Sequence, residues 1–161
     1  MHDESGIFNG GCTCGYIRYQ MSAHPLIVHC CHCTWCQRET GTAFALNAVV
    51  ETDAVRIATG DCERIKTPSL SGNGQVIARC PSCHVALWSH YHQSGPNISF
   101  VRVGTLDDPR QFPPDIHIYT STKQPWVVIP KGMLAVPEFY NPREVWSPEI
   151  LQRFQTAISR A

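Results

Sequence analysis

Short alternations of apolar and polar residues, not long helical stripes, run along most of this chain. Between Tyr16 and Met21, Ile17, Tyr19 and Met21 fall on one side and Tyr16, Arg18 and Gln20 on the other, which is the period of a half-buried strand. Leu26-Ile27-Val28 forms a second apolar segment that leads directly into a cluster of cysteines. Residues 44–50, 54–59 and 63–67 read as further short strands, punctuated by Thr52-Asp53 and Gly60-Asp61. Ser71-Gly72-Asn73-Gly74 predicts a hairpin loop, with strands at 75–79 and 85–91 after it. Residues 97–103 and 116–119 complete the set. Residues 37–40 predict a helical turn stopped by Gly41, and prolines recur too often between 123 and 142 for regular helix. Ser147-Pro148-Glu149 marks the start of a C-terminal helix, with Ile150, Leu151, Phe154 and Ile158 sharing one face. Turns spaced by about 8–12 residues favour a mainly β sandwich or tent carrying a short C-terminal helix.

Composition narrows the partners. A chain of 161 residues is expected to be one domain, 1–161, with room for a substantial core. Thirteen basic residues balance thirteen acidic ones and no Lys or Arg run occurs, so neither nucleic acid nor an anionic membrane is an expected partner. Near-zero net charge is compatible with a homo-oligomer. The first residues are polar, and nothing approaches the roughly 20 apolar residues of a membrane span, so a soluble, cytoplasmic protein is expected. In a reducing compartment the nine cysteines read as metal ligands or reactive thiols.

Four of those nine lie in Cys30-Cys31-His32-Cys33-Thr34-Trp35-Cys36. Cys12-Thr13-Cys14 precedes them within a glycine-bracketed turn, Cys80-Pro81-Ser82-Cys83 follows, and Cys62 stands alone. Such turns can wrap thiolates around a tetrahedral zinc ion, with sulfur at roughly 2.3 Å. Spacing allows two assignments. Cys33 and Cys36 can join Cys80 and Cys83 in a closed zinc ribbon. Alternatively, Cys12, Cys14, Cys80 and Cys83 close one four-thiolate site, and Cys31, Cys33 and Cys36 hold a second ion with one position open, the pattern of a catalytic zinc.

The ordered set Gly11-x-Cys-x-Cys-Gly, Cys31-His-Cys-x-x-Cys36, Cys80-x-x-Cys83, Gly104-Thr-Leu-Asp-Asp-Pro and His117-Ile spans a motif-bearing core of about 8–130. It resembles the glutathione-dependent formaldehyde-activating enzyme family, also called the GFA or CENP-V/GFA domain. The resemblance implies an Mss4-like β fold and carbon–sulfur lyase chemistry, with glutathione as cosubstrate adding to formaldehyde to give S-hydroxymethylglutathione. It implies two zinc ions per chain, a structural one on Cys12, Cys14, Cys80 and Cys83 and a catalytic one on Cys31, Cys33 and Cys36. It also raises His117 as a residue near the catalytic centre. The partners implied are a small-molecule thiol and an aldehyde.

Arg38 and Lys123 are candidates to meet the carboxylates of glutathione, and Trp35 and Trp126 to line a pocket. His32, between two cysteines, reads as a solvent-facing or turn-stabilising imidazole or as a proton carrier. Cys62 reads as a small buried hydrophobe. Cys30 adds a thiol that the family pattern does not require and that can compete for metal or be oxidised, and His84 stands where the family usually has glycine. A non-enzymatic zinc-stabilised binding module is the alternative reading, since such folds also serve as scaffolds. Thiol redox chemistry fits poorly: no cysteine follows Cys83, and no βαβ pattern surrounds Cys33-Thr34-Trp35-Cys36.

Overall fold

The computed structural model describes residues 6–160. The polar segment Met1 to Ser5, read above as carrying no apolar leader, lies outside the described residues. Eleven strands form two sheets among the described residues, so the fold is mainly β as expected.

The smaller sheet takes β1 (Phe8–Gly11), β2 (Arg18–Met21) and β5 (Val55–Thr59) in the order β1-β2-β5, all antiparallel. The alternation around β2 sends Ile17, Tyr19 and Met21 fully inside, each removal from water contributing about 1.5–3 kcal/mol. The strand β1 is absent from the sequence reading, which took Gly10 and Gly11 as part of a turn. They are glycines for another reason: a Cβ on Gly10 would sit 2.5 Å from the Tyr19 ring, and one on Gly11 2.5 Å from the Ile17 carbonyl oxygen.

The larger sheet contains β3 (Ile27–Cys31), β4 (Ala45–Glu51), β6 (Glu63–Thr67), β7 (Gln75–Arg79), β8 (Ala86–Tyr91), β9 (Ile98–Arg102), β10 (Ile116–Ile118) and β11 (Leu134–Ala135). Their order is β11-β10-β3-β4-β9-β8-β7-β6, antiparallel except that β10 runs parallel to β3 and β11. Every residue of β3 is buried, because both faces of this central strand are covered. Val28, Ala48, Val50 and Val101 pack with Ile17, Tyr19 and Met21 under the small sheet. Ile27, Cys31, Val49, Ile98 and Ile118 point the other way, into a second core with Tyr140, Trp146 and Ala157. The sheet thus separates two cores.

Covering the second core are α1 (Thr34–Thr40), α2 (Pro142–Val145) and α3 (Pro148–Ile158). Ser147 caps α3, its Oγ accepting from the Ile150 amide at 3.3 Å. Arg153 ties the helix to the sheet by donating to both Glu51 carboxylate oxygens, at 2.9 and 2.8 Å. Ile158 does not join the buried face; Ala157 does. Ile158 shares the face by angle but is the last residue of α3, where the helix runs out past the core. The four-residue α2, capped by the Asn141 side chain, begins where the proline-rich segment expected to be irregular ends.

Candidate functional site

Two tight turns build the first cysteine group. Cys12 and Cys14 lie between β1 and β2, and Cys80 and Cys83 between β7 and β8, so the group clips the small sheet to the large one. The turns repeat one geometry. Cys12 N–H donates to the Ile17 carbonyl and Cys80 N–H to the Val85 carbonyl, both at 3.1 Å. The four sulfurs lie within 4.8 Å of one another, with 3.5 Å between Cys12 and Cys14 and 3.7 Å between Cys14 and Cys80. A zinc tetrahedron with bonds of roughly 2.3 Å has edges of about 3.8 Å, so these residues fit that ion. Amide N–H groups of Val85 and Cys14 pull the Cys83 thiol down to about 6, toward the thiolate a metal takes. The grouping excludes the ribbon that would pair Cys80 and Cys83 with Cys33 and Cys36.

The residue after the second cysteine is left-handed in both turns, Gly15 at φ +78° and His84 at φ +59°. Glycine takes that conformation freely and histidine does so at a cost. His84→Gly is expected to stabilise the protein by about 0.5–1 kcal/mol after allowing for the looser unfolded chain. At this chain length that is a melting temperature higher by about 1–4 °C, checked by calorimetry of the zinc-loaded protein.

The second group grows from the end of β3. Cys31 is the last residue of that strand, Cys33 caps α1, and Cys36 sits in its first turn. Cys33 Sγ accepts from the Cys36 amide at 3.3 Å. Hydrogen bonds from Cys31 and Cys36 hold the Cys33 thiol far below its ordinary value, to about 3. Gln37 fixes the turn from outside, its Nε2 donating to the carbonyls of His32 at 2.7 Å and Thr122 at 2.9 Å. All three cysteines are buried from bulk solvent, yet all three line a cavity of about 480 Å³. Three soft donors converging within 4.8 Å, with open space beside them, fit a zinc ion holding one free position.

Period-two alternation sends the neighbouring residues to the opposite face. His117 pairs in register with Cys30, and Ile118 with Cys31. His117 therefore joins Cys30 and His32, not the three cysteines of the cavity. His117 Nδ1 is 2.8 Å from His32 Nε2, and Cys30 Sγ is 3.6 Å from the same nitrogen. His32 is fully buried, which overturns a solvent-facing imidazole, and burial followed by the charge of His117 pushes its pKa down to about 4. These three side chains form a third group able to hold a metal ion.

Trp35 lines the cavity; Arg38 and Lys123 do not. Arg38 is exposed on α1, and Lys123 Nζ donates to the carbonyls of Gln124 and Val127 at 3.0 and 2.7 Å. Trp126 is 70% exposed and lies outside the cavity, and Cys62 is half-buried at the edge of the first core. The sequence reading missed Tyr91, Tyr119, Gln75 and His29, all of which line the cavity. For His29 a signal existed, because it sits two residues from Cys31 on a strand. Tyr91 and Gln75 carried none, since only the register Gln75↔Tyr91 across β7 and β8 brings them to the same wall.

The sequence profile of the family described as glutathione-dependent formaldehyde-activating enzyme matches residues 7–122. A crystal structure of a Rhodobacter sphaeroides protein, a Northeast Structural Genomics target, is 18% identical and covers 64% of this chain and 93% of its own, with a TM-score of 0.46, too slight a likeness to carry argument. No curated protein matches.

Proposed function

The chain belongs to the glutathione-dependent formaldehyde-activating enzyme family, and from that premise we propose that it is a zinc-dependent carbon–sulfur lyase that forms or cleaves thiol–aldehyde adducts. One observation carries the reading: seven cysteines divide into a group of four that closes on itself and a group of three that opens into a cavity. In this reading Cys12, Cys14, Cys80 and Cys83 hold a structural ion, and Cys31, Cys33 and Cys36 hold the catalytic one. Cys31, Cys33 and Cys36 would hold the zinc, which when bound would lower the pKa of an incoming thiol toward neutrality.

The protein's own groups do the rest. A sulfur–carbon bond forms as the carbonyl π bond of the aldehyde breaks, and the thiol proton ends on the carbonyl oxygen; cleavage is the reverse. Tyr91 and Tyr119 line the same cavity. Burial raises both phenols and keeps them protonated. Each can donate a hydrogen bond to the developing oxyanion. The aromatic walls exclude water, and the fixed cysteine turn presents one reactant to the other, so proximity carries much of the acceleration.

The test is elemental analysis of protein purified without chelators, together with NMR of the adduct formed from labelled formaldehyde and a panel of thiols. About two zinc ions per chain and adduct exchange faster than in buffer are expected. One zinc per chain, unchanged by added metal and without acceleration for any thiol, would leave a zinc-stabilised binding module in its place. No helix among the described residues is long and apolar enough to cross a membrane.

A further inference from the structure

The cavity beside Cys31, Cys33 and Cys36 is aromatic and polar but uncharged. Trp35, Tyr91, Phe100, Phe139, Trp146 and Phe154 line it, together with the uncharged polar residues Asn47, Ser69, Ser71, Gln93 and Ser94. Among the described residues, no Lys, Arg, Asp or Glu lines it. His29 turns its Nε2 to the Tyr140 hydroxyl at 2.7 Å. Arg102 is buried, donates from Nη1 to Asn47 and from Nη2 to Ser89, leaves its Nε without a partner, and is absent from the lining. Glutathione carries two carboxylates and an ammonium group, and moving such charges from water into a site with no charged partner is strongly disfavoured. The cations the sequence offered for those carboxylates, Arg38 and Lys123, are elsewhere.

A second observation is independent of the first. Gln75 is 8% exposed, lines the cavity, and buries its Oε1 without a hydrogen-bond partner. Buried amide oxygens are nearly always paired, so an orphan on a residue that lines a cavity is a place for a ligand donor.

We infer that the thiol accepted here has a neutral, aromatic or aliphatic body bearing an O–H or N–H group for Gln75, and is not the charged tripeptide of the family name. The inference rests on the lyase reading and narrows it to a substrate class. The apolar body fills the aromatic walls, its sulfur reaches the three cysteines, and its donor completes Gln75.

Zinc-loaded protein is titrated with phenylmethanethiol, 4-(mercaptomethyl)phenol and glutathione, following the fluorescence of the cavity tryptophans. Both aromatic thiols are expected to bind at least about tenfold more tightly than glutathione, with the phenol the tighter. Gln75→Leu is expected to weaken the phenol about tenfold and phenylmethanethiol less than about twofold. Glutathione binding as tightly as either aromatic thiol overturns the inference, as does a Gln75→Leu effect equal for both aromatic probes. Turnover with formaldehyde is followed on the same samples by NMR. Acceleration for glutathione alone also overturns the inference while leaving the lyase reading intact. No acceleration for any thiol by protein holding two zincs refutes the lyase reading, and the titrations still decide what the cavity binds.

Discussion

Cys33→Ser is expected to give a folded protein that holds about one zinc per chain in place of two and forms thiol–aldehyde adducts at least about a thousandfold more slowly. The fold survives because of where Cys33 sits. It is the N-cap of α1, its sulfur accepting from the Cys36 amide, and serine is among the best N-cap residues. The helix keeps its start, Gln37 keeps its hold on the His32 and Thr122 carbonyls, the first core is untouched, and the second loses only the Cys33 sulfur at its edge on the cavity. What is lost is the thiol held most readily as a thiolate. A serine hydroxyl does not ionise near neutral pH, so two sulfurs remain where three are needed. Zinc content, a thermal melt and the NMR exchange rate read the three consequences separately. A melt lowered by tens of degrees with both metals gone would assign Cys33 a structural role and sink the proposed division of the cysteines.

That division was half legible in the chain. Local chemistry was readable: the alternation at Ile17, Tyr19 and Met21, the cap at Ser147, and turns with thiols at fixed spacing all depend on neighbours in sequence. Which cysteine turn meets which was not, because spacing admits both the ribbon and the two-site arrangement; family resemblance pointed to the second, and the sheet order supplies its reason. The strand β7 lies far from β3 in the sheet, with β4, β9 and β8 between them, so the Cys80 turn reaches the small sheet and not the Cys33 turn.

His117 shows a different limit. Its place in an apolar strand near the cysteines was correctly read, but the face it occupies depends on register. The pairing of Ile116 with His29 puts His117 beside Cys30 and Ile118 beside Cys31, and a slip by one residue would have reversed them. The cavity was the least legible feature of all. Trp35 was a candidate because it lies inside the cysteine motif, whereas Phe100, Phe139 and Trp146 come from three separated segments with no motif between them. Arg38 and Lys123 attracted notice as cations, and a cation's position relative to a cavity is a tertiary fact.

Cys80→Ser is expected to do the opposite of Cys33→Ser: the chain should lose its cooperative melt, or melt at least about 15 °C lower, and lose adduct chemistry as a consequence of unfolding. Cys80 is completely buried, and its turn joins β7 and β8 to the turn that carries Cys12 and Cys14. Structural zinc bound by four thiolates contributes about 10–16 kcal/mol of apparent binding free energy at neutral pH. Whole domains are stable by only about 5–15 kcal/mol, so removing one of the four ligands is enough to tip the balance. The first core depends on the clip directly, because Ile17, Tyr19 and Met21 reach Val28, Ala48 and Val101 only while the small sheet is held against the large one. The measurement is calorimetry with parallel zinc analysis. Retention of a melt within a few degrees of the unsubstituted protein would mean that the four-cysteine group bears no structural metal, and the pairing of the two sheets would then have to rest on apolar packing alone.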